Sequence, residues 1–214
     1  MDTLVITEIF YSIQGESSYA GLPCVFIRLT GCPLRCRWCD TAYGFHGGTS
    51  LSIEDILRTI SQYDTKLVEL TGGEPLAQKG SVSIVKALIE RGYKVLIETS
   101  GSESIENIPE QVSIIMDIKC PGSKMHEKMM WSNLNHIKKS DELKFVIADK
   151  QDFDWALGKI KELNLEKLCL LLFSPAWGLV KPDELSEWIL KSGVRARLNL
   201  QLHKYIWGPR KRGV

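Results

Sequence analysis

The sequence predicts an α/β protein built on a parallel sheet, and three observations carry that expectation. Short apolar strands alternate with helical segments, the pattern of a parallel sheet covered by helices. The polar and glycine-rich motifs fall at the C-terminal ends of those strands, the rim where barrel-type sheets bind ligands. At 214 residues the chain is most simply one domain, 1–214, with no repeat and no linker to divide it. About six such strands from Cys24 onward suggest a partial (β/α) barrel open on one side. A flat doubly wound sheet shares the same periodicity.

In chain order, Leu4 to Phe10 reads as a peripheral first strand, and Tyr11 to Glu16 as a loop carrying an amide, an acid and a glycine. Cys24 to Leu29 is an apolar strand interrupted by Arg28. Ser52 to Tyr63 has helical spacing of Ile53, Ile56, Leu57 and Ile60, and Ser52 with Asp55 resembles a capping box. Lys66 to Leu70 is a strand ending in Thr71-Gly72-Gly73-Glu74-Pro75. Ser81 to Arg91 is a helix stopped by Gly92, and Lys94 to Glu98 a strand ending in Thr99-Ser100-Gly101. Val112 to Ile118 is the next strand, followed by a helix within Glu127 to Ile137. Leu143 to Ala148 and Leu168 to Phe173 are strands on either side of a helix from Asp152 to Leu163. Pro182 opens a helix over Asp183 to Lys191, and Arg195 to Leu200 is a last short strand.

Composition narrows the function. Hydrophobic content of 44% and charged content of 25% are ordinary for a soluble globular protein. A net charge of +1 advertises neither nucleic acid nor membrane as a partner. The one basic cluster, Arg210-Lys211-Arg212, reads as a solvated tail. No apolar run approaches the ~20 residues that span a bilayer, and Met1 to Thr7 lacks the cationic start of a signal peptide. Thiols clustered at metal spacing point to a reducing cytoplasm. Cys24 and Cys169 lie inside apolar strands and Cys120 at a strand end, where packing is the default role.

The chemistry concentrates in Gly31 to Thr41, where Cys32, Cys36 and Cys39 stand at C-x3-C-x2-C spacing directly after a strand. Structural zinc and ferredoxin-type iron–sulfur centres want four closed ligands. Three thiolates with no neighbouring fourth suggest a cluster with one iron left open. The bland alternatives are a zinc site borrowing a remote Cys or His, or three unrelated core cysteines. Arg28 must be paired or face an open cavity, because an isolated buried charge is very costly. A salt bridge to Glu8 or Glu16 and a bidentate clamp on a substrate carboxylate are both open readings.

The cysteine spacing resembles the signature of the radical S-adenosylmethionine (SAM) superfamily, and Thr71-Gly72-Gly73-Glu74-Pro75 matches its Gly-Gly-Glu motif. Further motifs resemble the 7-carboxy-7-deazaguanine synthase family, from about residue 8 to residue 209. They are Glu8 to Glu16, Arg28, the Asp40-Thr41 pair, Glu98-Thr99-Ser100-Gly101 and Gln201-Leu202-His203-Lys204. The resemblance favours the radical SAM type of partial barrel over the flat sheet. It implies a [4Fe–4S] cluster on the three cysteines, with SAM chelated at the fourth iron. The implied reaction is a lyase step of queuosine and deazapurine biosynthesis. It turns 6-carboxy-5,6,7,8-tetrahydropterin into 7-carboxy-7-deazaguanine with loss of ammonia, after a 5′-deoxyadenosyl radical abstracts hydrogen from substrate carbon 6.

Carried over position by position, the resemblance assigns Ile13, Gln14, Gly15, Arg28 and Thr71 to substrate, with Gln201, His203 and Pro209 beside them. His203 is a candidate for substrate binding or proton transfer, and a structural histidine is the alternative. Trp38, Cys39, Asp40 and Gly73 are assigned to SAM. So are Asp117-Ile118-Lys119, where only the lysine matches the family pattern, and Phe173-Ser174-Pro175-Ala176. Thr41 is assigned to Mg2+, a hard ion suited to oxygen donors. The chain continues past Pro209 through Arg210 to Val214, so a contact from a terminal carboxylate at Pro209 does not carry over. A homodimer is expected, reduced by a donor such as flavodoxin or ferredoxin. The competing functions are a radical SAM activase of a glycyl-radical enzyme and a non-enzymatic module stabilised by zinc.

Overall fold

A computed structural model describes residues 3–214. Met1 and Asp2, the start of the segment read for a signal peptide, lie outside the described residues. Nine strands form one sheet: β1 (Thr3–Ile13), β2 (Pro23–Leu29), β3 (Thr49–Ser52), β4 (Leu67–Gly72), β5 (Lys94–Thr99), β6 (Ser113–Ile118), β7 (Glu142–Ile147), β8 (Leu170–Pro175) and β9 (Ala196–Leu198). Their order is β3-β1-β2-β4-β5-β6-β7-β8-β9, the two ends do not pair, and side chains from β1 through β8 converge on one cavity, as in a partial barrel. From β2 through β4 to β9 every neighbour is parallel, seven strands where about six were expected. β1 and β3 extend the edge antiparallel. Among the described residues five α-helices accompany the sheet: α1 (Ile53–Ile60), α2 (Ser81–Glu90), α3 (Lys150–Glu162), α4 (Pro182–Ser192) and α5 (Leu202–Trp207).

The pleat decides what each strand presents, because successive side chains face opposite sides of a sheet. One parity, including Ile27, Leu70, Ile97, Ile118, Phe145 and Phe173, packs with Ile56, Leu88, Phe153 and Leu185 of the helices in the main core. The other parity turns inward. Leu96, Ile115 and Leu172 form a small apolar floor. One pleat nearer the C-terminal ends, Glu69, Glu98, Asp117, Lys144 and Ser174 line an open cavity.

Local rules account for most boundaries. Ser52 caps α1, its Oγ accepting the Asp55 N–H at 3.1 Å and donating to the Asp55 carboxylate at 2.6 Å. Asp149 caps α3 through the Asp152 N–H at 2.8 Å. Gly193, at φ +70°, ends α4 in the left-handed conformation.

Four expectations need correction. β1 runs on to Ile13, because Tyr11, Ser12 and Ile13 still pair with Val25, Cys24 and Pro23. The helix expected within Glu127 to Ile137 is two 3-10 turns, His126–Lys128 and Trp131–His136. Between them the buried Met129 sulfur accepts the Lys119 N–H at 3.4 Å, and the Met130 N–H donates to the Gly101 carbonyl at 2.9 Å. The backbone there is committed to neighbouring strand ends and cannot continue as a helix. The strand expected over Leu168 to Phe173 is shifted to β8, and the last strand is only three residues. β3 and α5 were not foreseen.

Candidate active site

A cavity of about 360 Å³ opens at the C-terminal rim of the parallel strands. On one side is the loop after β2. Gly31, at φ +94°, turns the chain out of the strand, and its N–H donates to the Gly44 carbonyl at 2.8 Å. Leu34 is buried and pins the loop, while the Arg35 guanidinium donates to the carbonyls of Cys32 and Leu34 at 2.7 Å and lies 4.2 Å over the Phe45 ring. Cys32, Cys36 and Cys39 all border the cavity, and all are free thiols. Burial raises the pKa of Cys32 and Cys36, and the Lys119 ammonium opposes it. Among the described residues no three His, Cys, Asp or Glu side chains converge as one metal ion would need. A structural zinc site would need a fourth protein ligand, whereas an iron–sulfur cluster that leaves one iron open needs only these three.

The β4 end closes against this loop. Gly72 adopts φ +140°, and a Cβ added there would lie 2.3 Å from the Leu29 carbonyl oxygen. A Cβ on Gly73 would lie 2.1 Å from the Gly31 oxygen and 2.8 Å from the Cys32 Cβ. Glycine at these two positions lets β4 seat directly behind the cysteine loop. Glu74 is buried and accepts from the Leu76 N–H (2.9 Å), the Ser100 N–H (2.6 Å) and the Thr99 hydroxyl (2.8 Å). It ties the Gly-Gly-Glu turn to the end of β5.

Next along the rim, Lys119 pairs with Asp117 Oδ2 at 2.8 Å. Asp117 Oδ1 is buried with no hydrogen-bond partner in the structure, an acceptor suited to a ligand hydroxyl or amine. Asp117, Lys119, Ser174, Pro175 and Ala176 border the cavity, as do Trp38, Asp40 and Gly73. Ile118 and Phe173 do not. Strand alternation buries both side chains in the helix-side core, which leaves only their backbone to face the rim.

The opposite wall joins segments far apart in sequence. The Gly15 carbonyl accepts the Leu202 N–H at 2.8 Å, and a Cβ on Gly15 would lie 2.1 Å from His203 Nδ1. Gln201 donates to Glu16 at 2.9 Å, and Lys204 binds Asp40 at 2.6 Å, tying α5 to the cysteine loop. Burial lowers the pKa of His203, with the Glu16 charge opposing it. Ile13, Gln14, Gly15, Arg28, Thr71, Gln201, His203 and Pro209 all border the cavity, and so does Thr41, whose hydroxyl stands 3.7 Å from the Cys39 sulfur. Arg28 satisfies both open readings in part. Its Nε donates to Glu8 Oε1 at 2.8 Å, and the side chain still borders the cavity. The pairing uses one of five guanidinium donors.

Sequence reasoning missed the charged floor. Lys144 bridges Glu16, at 2.9 Å, and Glu98. Thr71 donates to Glu98 at 3.1 Å, and Gln14 donates to the buried Glu69. Burial, and then the nearby Glu98 charge, raise the Glu69 pKa well above the carboxylate range. The signal was available: Glu69 and Lys144 interrupt apolar strands just as Arg28 does.

The sign of the Glu69 shift makes a prediction. The folded state keeps this proton to a higher pH than the unfolded chain, so its stabilising contribution fades as pH rises from the ordinary carboxylate range through the folded pKa. Glu69→Gln mimics the protonated acid and keeps an acceptor for Gln14. Its melting temperature should rise relative to the parent as pH goes from about 5 to about 8. A constant difference across that range would contradict the assignment.

Residues 26–129 match the Radical SAM superfamily. The chain is 43% identical over 224 residues to the 7-carboxy-7-deazaguanine synthase of Koribacter versatilis (strain Ellin345), a match covering 98% of this chain and 99% of that one. It is likewise 43% identical over 215 residues to the 7-carboxy-7-deazaguanine synthase of Chlorobaculum tepidum, covering 99% and 97%. The fold is similar to the crystal structure of QueE from Escherichia coli, with a TM-score of 0.77 at 23% identity over 94% of this chain and 95% of that one.

Proposed function

The chain belongs to the 7-carboxy-7-deazaguanine synthase family of radical SAM enzymes, and from that premise we propose how its cavity is used. The enzyme is a radical SAM lyase of deazapurine and queuosine biosynthesis. The reaction we assign is conversion of 6-carboxy-5,6,7,8-tetrahydropterin to 7-carboxy-7-deazaguanine with loss of ammonia. One observation carries the reading: the three free thiols and Gly73 share a single cavity with Arg28, Gln14, Gly15 and His203.

The donor set fits the cofactors. Cys32, Cys36 and Cys39 would hold a [4Fe–4S] cluster, and Trp38, Asp40, Gly73, Asp117, Lys119 and the Ser174 to Ala176 segment would hold SAM. The partnerless Asp117 Oδ1 supports a polar ligand at that position. When bound, the cluster and SAM supply a 5′-deoxyadenosyl radical that takes hydrogen from substrate carbon 6. The protein's own groups bind and orient. Arg28 meets the substrate carboxylate with its free donors, and Thr41 offers an oxygen to Mg2+ beside it. The pterin's amide and amine suit the backbone of Ile13 to Gly15 and the carboxylates of the floor. His203, packed on Gly15 and held toward its neutral form, can accept or donate a proton at Nδ1 or Nε2.

The same reading makes residues 1–214 a single catalytic domain, working as a cytoplasmic homodimer with a small flavodoxin- or ferredoxin-type reductant. Among the described residues no helix is long and apolar enough to cross a membrane. Substrate deuterated at carbon 6, incubated anaerobically with SAM, Mg2+ and a reductant and no protein substrate, tests the assignment against a glycyl-radical activase. Label should enter 5′-deoxyadenosine or SAM as 7-carboxy-7-deazaguanine forms. Product without label transfer, or SAM cleavage only with a protein partner, would sink it.

Arg28→Lys tests the clamp. Lys keeps the charge but lacks the planar fork that can hold Glu8 and a second carboxylate together. Substrate affinity should fall roughly ten- to a hundred-fold, the worth of one charge-assisted hydrogen bond. A lower melting temperature with unchanged substrate affinity would leave Arg28 only its structural bridge to Glu8.

A further inference from the structure

The basic end of the chain is not a solvated tail throughout. After α5 the backbone turns at Gly208, and the Lys211 N–H donates to the Gly208 carbonyl at 3.4 Å. The Arg212 guanidinium lies 4.1 Å from the centre of the Tyr43 ring. Gly213, at φ +67°, turns the chain again, at a point where a Cβ would lie 4.0 Å from Glu8 Oε2. Pro209 and Val214 both border the cavity that Arg28 borders. Tyr43 in turn donates to Glu8 Oε1 at 2.7 Å, the same oxygen that accepts Arg28 Nε at 2.8 Å.

A chain of contacts therefore runs from the tail to the cation assigned to the substrate carboxylate. We propose that Pro209 and Val214 form part of the wall of the substrate site, and that Arg212, acting through Tyr43 and Glu8, is a positioning residue for Arg28. This rests on the reading of Arg28 as the carboxylate clamp. The physical logic is orientation. A carboxylate oxygen shared by two donors holds each at a fixed angle, so the guanidinium plane of Arg28 depends on where the Tyr43 hydroxyl points. Arg212 fixes the Tyr43 ring by cation–π contact, and Val214 lines the cavity. Arg212 is itself exposed, so its removal spares the core.

Arg212→Ala should raise KM for the carboxylated tetrahydropterin roughly two- to five-fold, the worth of one exposed cation–π contact, with kcat and melting temperature unchanged. Arg212→Lys, which retains a cation for the ring, should recover most of that loss. Lys191→Ala, which removes an exposed charge on α4 outside the cavity, should leave KM unaltered. A second arm needs no substrate: Tyr43→Ala should free the tail and speed tryptic cleavage at Arg210, Lys211 and Arg212, followed by mass spectrometry. An unchanged KM in Arg212→Ala, a Lys variant no better than Ala, or equal cleavage rates would overturn the inference. Absence of turnover by the parent enzyme would instead overturn the assigned reaction, and the cleavage rates would still decide whether the tail is latched.

Discussion

Replacing any one of Cys32, Cys36 or Cys39 with Ala is expected to abolish SAM cleavage and strip most of the iron and sulfide from anaerobically reconstituted protein. The three thiols are free, border one cavity and belong to one loop, so no other side chain there can take over a missing corner. The remaining cysteines are poorly placed to substitute: Cys24 and Cys169 are buried away from the cavity, and Cys120 borders it but is buried just past the end of β6, off the loop. The fold should survive, because the loop is held by the buried Leu34 side chain, by the Arg35 contacts with carbonyl oxygens and by the Glu74 N–H on the Gly31 carbonyl, although the Cys32 change also removes the Leu34 N–H contact to its sulfur at 3.4 Å. Metal and sulfide analysis, the cluster's visible absorption and 5′-deoxyadenosine release measure the effect. A variant with full cluster absorption and parental SAM cleavage would sink the assignment. Zinc bound in place of iron, with no sulfide, would favour the structural-module reading.

The site was legible where its residues obey a local rule. The cysteines announce themselves by spacing, the Gly72-Gly73 pair by its place at a strand end, and Arg28 by interrupting an apolar strand. The same interruption rule, applied to Leu67 to Gly72 and Glu142 to Ile147, points to Glu69 and Lys144. What no local rule reveals is the pairing. Glu16 meets Lys144 only because β7 and the turn after β1 face each other across the barrel, 128 residues apart. Gly15 against His203 is the same kind of fact, since the need for glycine there comes from a side chain near the other end of the chain. Secondary structure divides in the same way. α1 and α3 carry their own caps and apolar stripes. β3 is four polar-flanked residues made a strand by its partner β1, and α5 is too short to show a period. The pleat, which motif spacing does not encode, sends the side chains of Asp117 and Ser174 into the cavity and those of their neighbours Ile118 and Phe173 into the core.

Lys144→Met should be the most destabilising substitution in the cavity. The ammonium is almost fully buried and holds the carboxylates of Glu16 and Glu98, with Glu69 close by. Methionine nearly preserves the volume, so the loss is one of charge. Removing one partner of a buried pair costs about 3–5 kcal/mol, because the other partner is left charged and desolvated. For a domain of this size that corresponds to a melting temperature lower by roughly 6–20 °C. The pH dependence separates this cause from simple repacking. Burial alone would raise the Glu16 pKa, but Lys144, His203 and Gln201 outweigh it and the net shift is downward. A carboxylate with a lowered pKa adds stability above its ordinary pKa and loses it as pH falls through the folded value. In Lys144→Met that contribution is gone, and the orphaned carboxylates prefer to be protonated. The gap in melting temperature between parent and variant should therefore be widest near neutral pH and close as pH falls through the carboxylate range. A gap that stays constant with pH would mean that Lys144 matters for packing and not for the charge it places between Glu16 and Glu98.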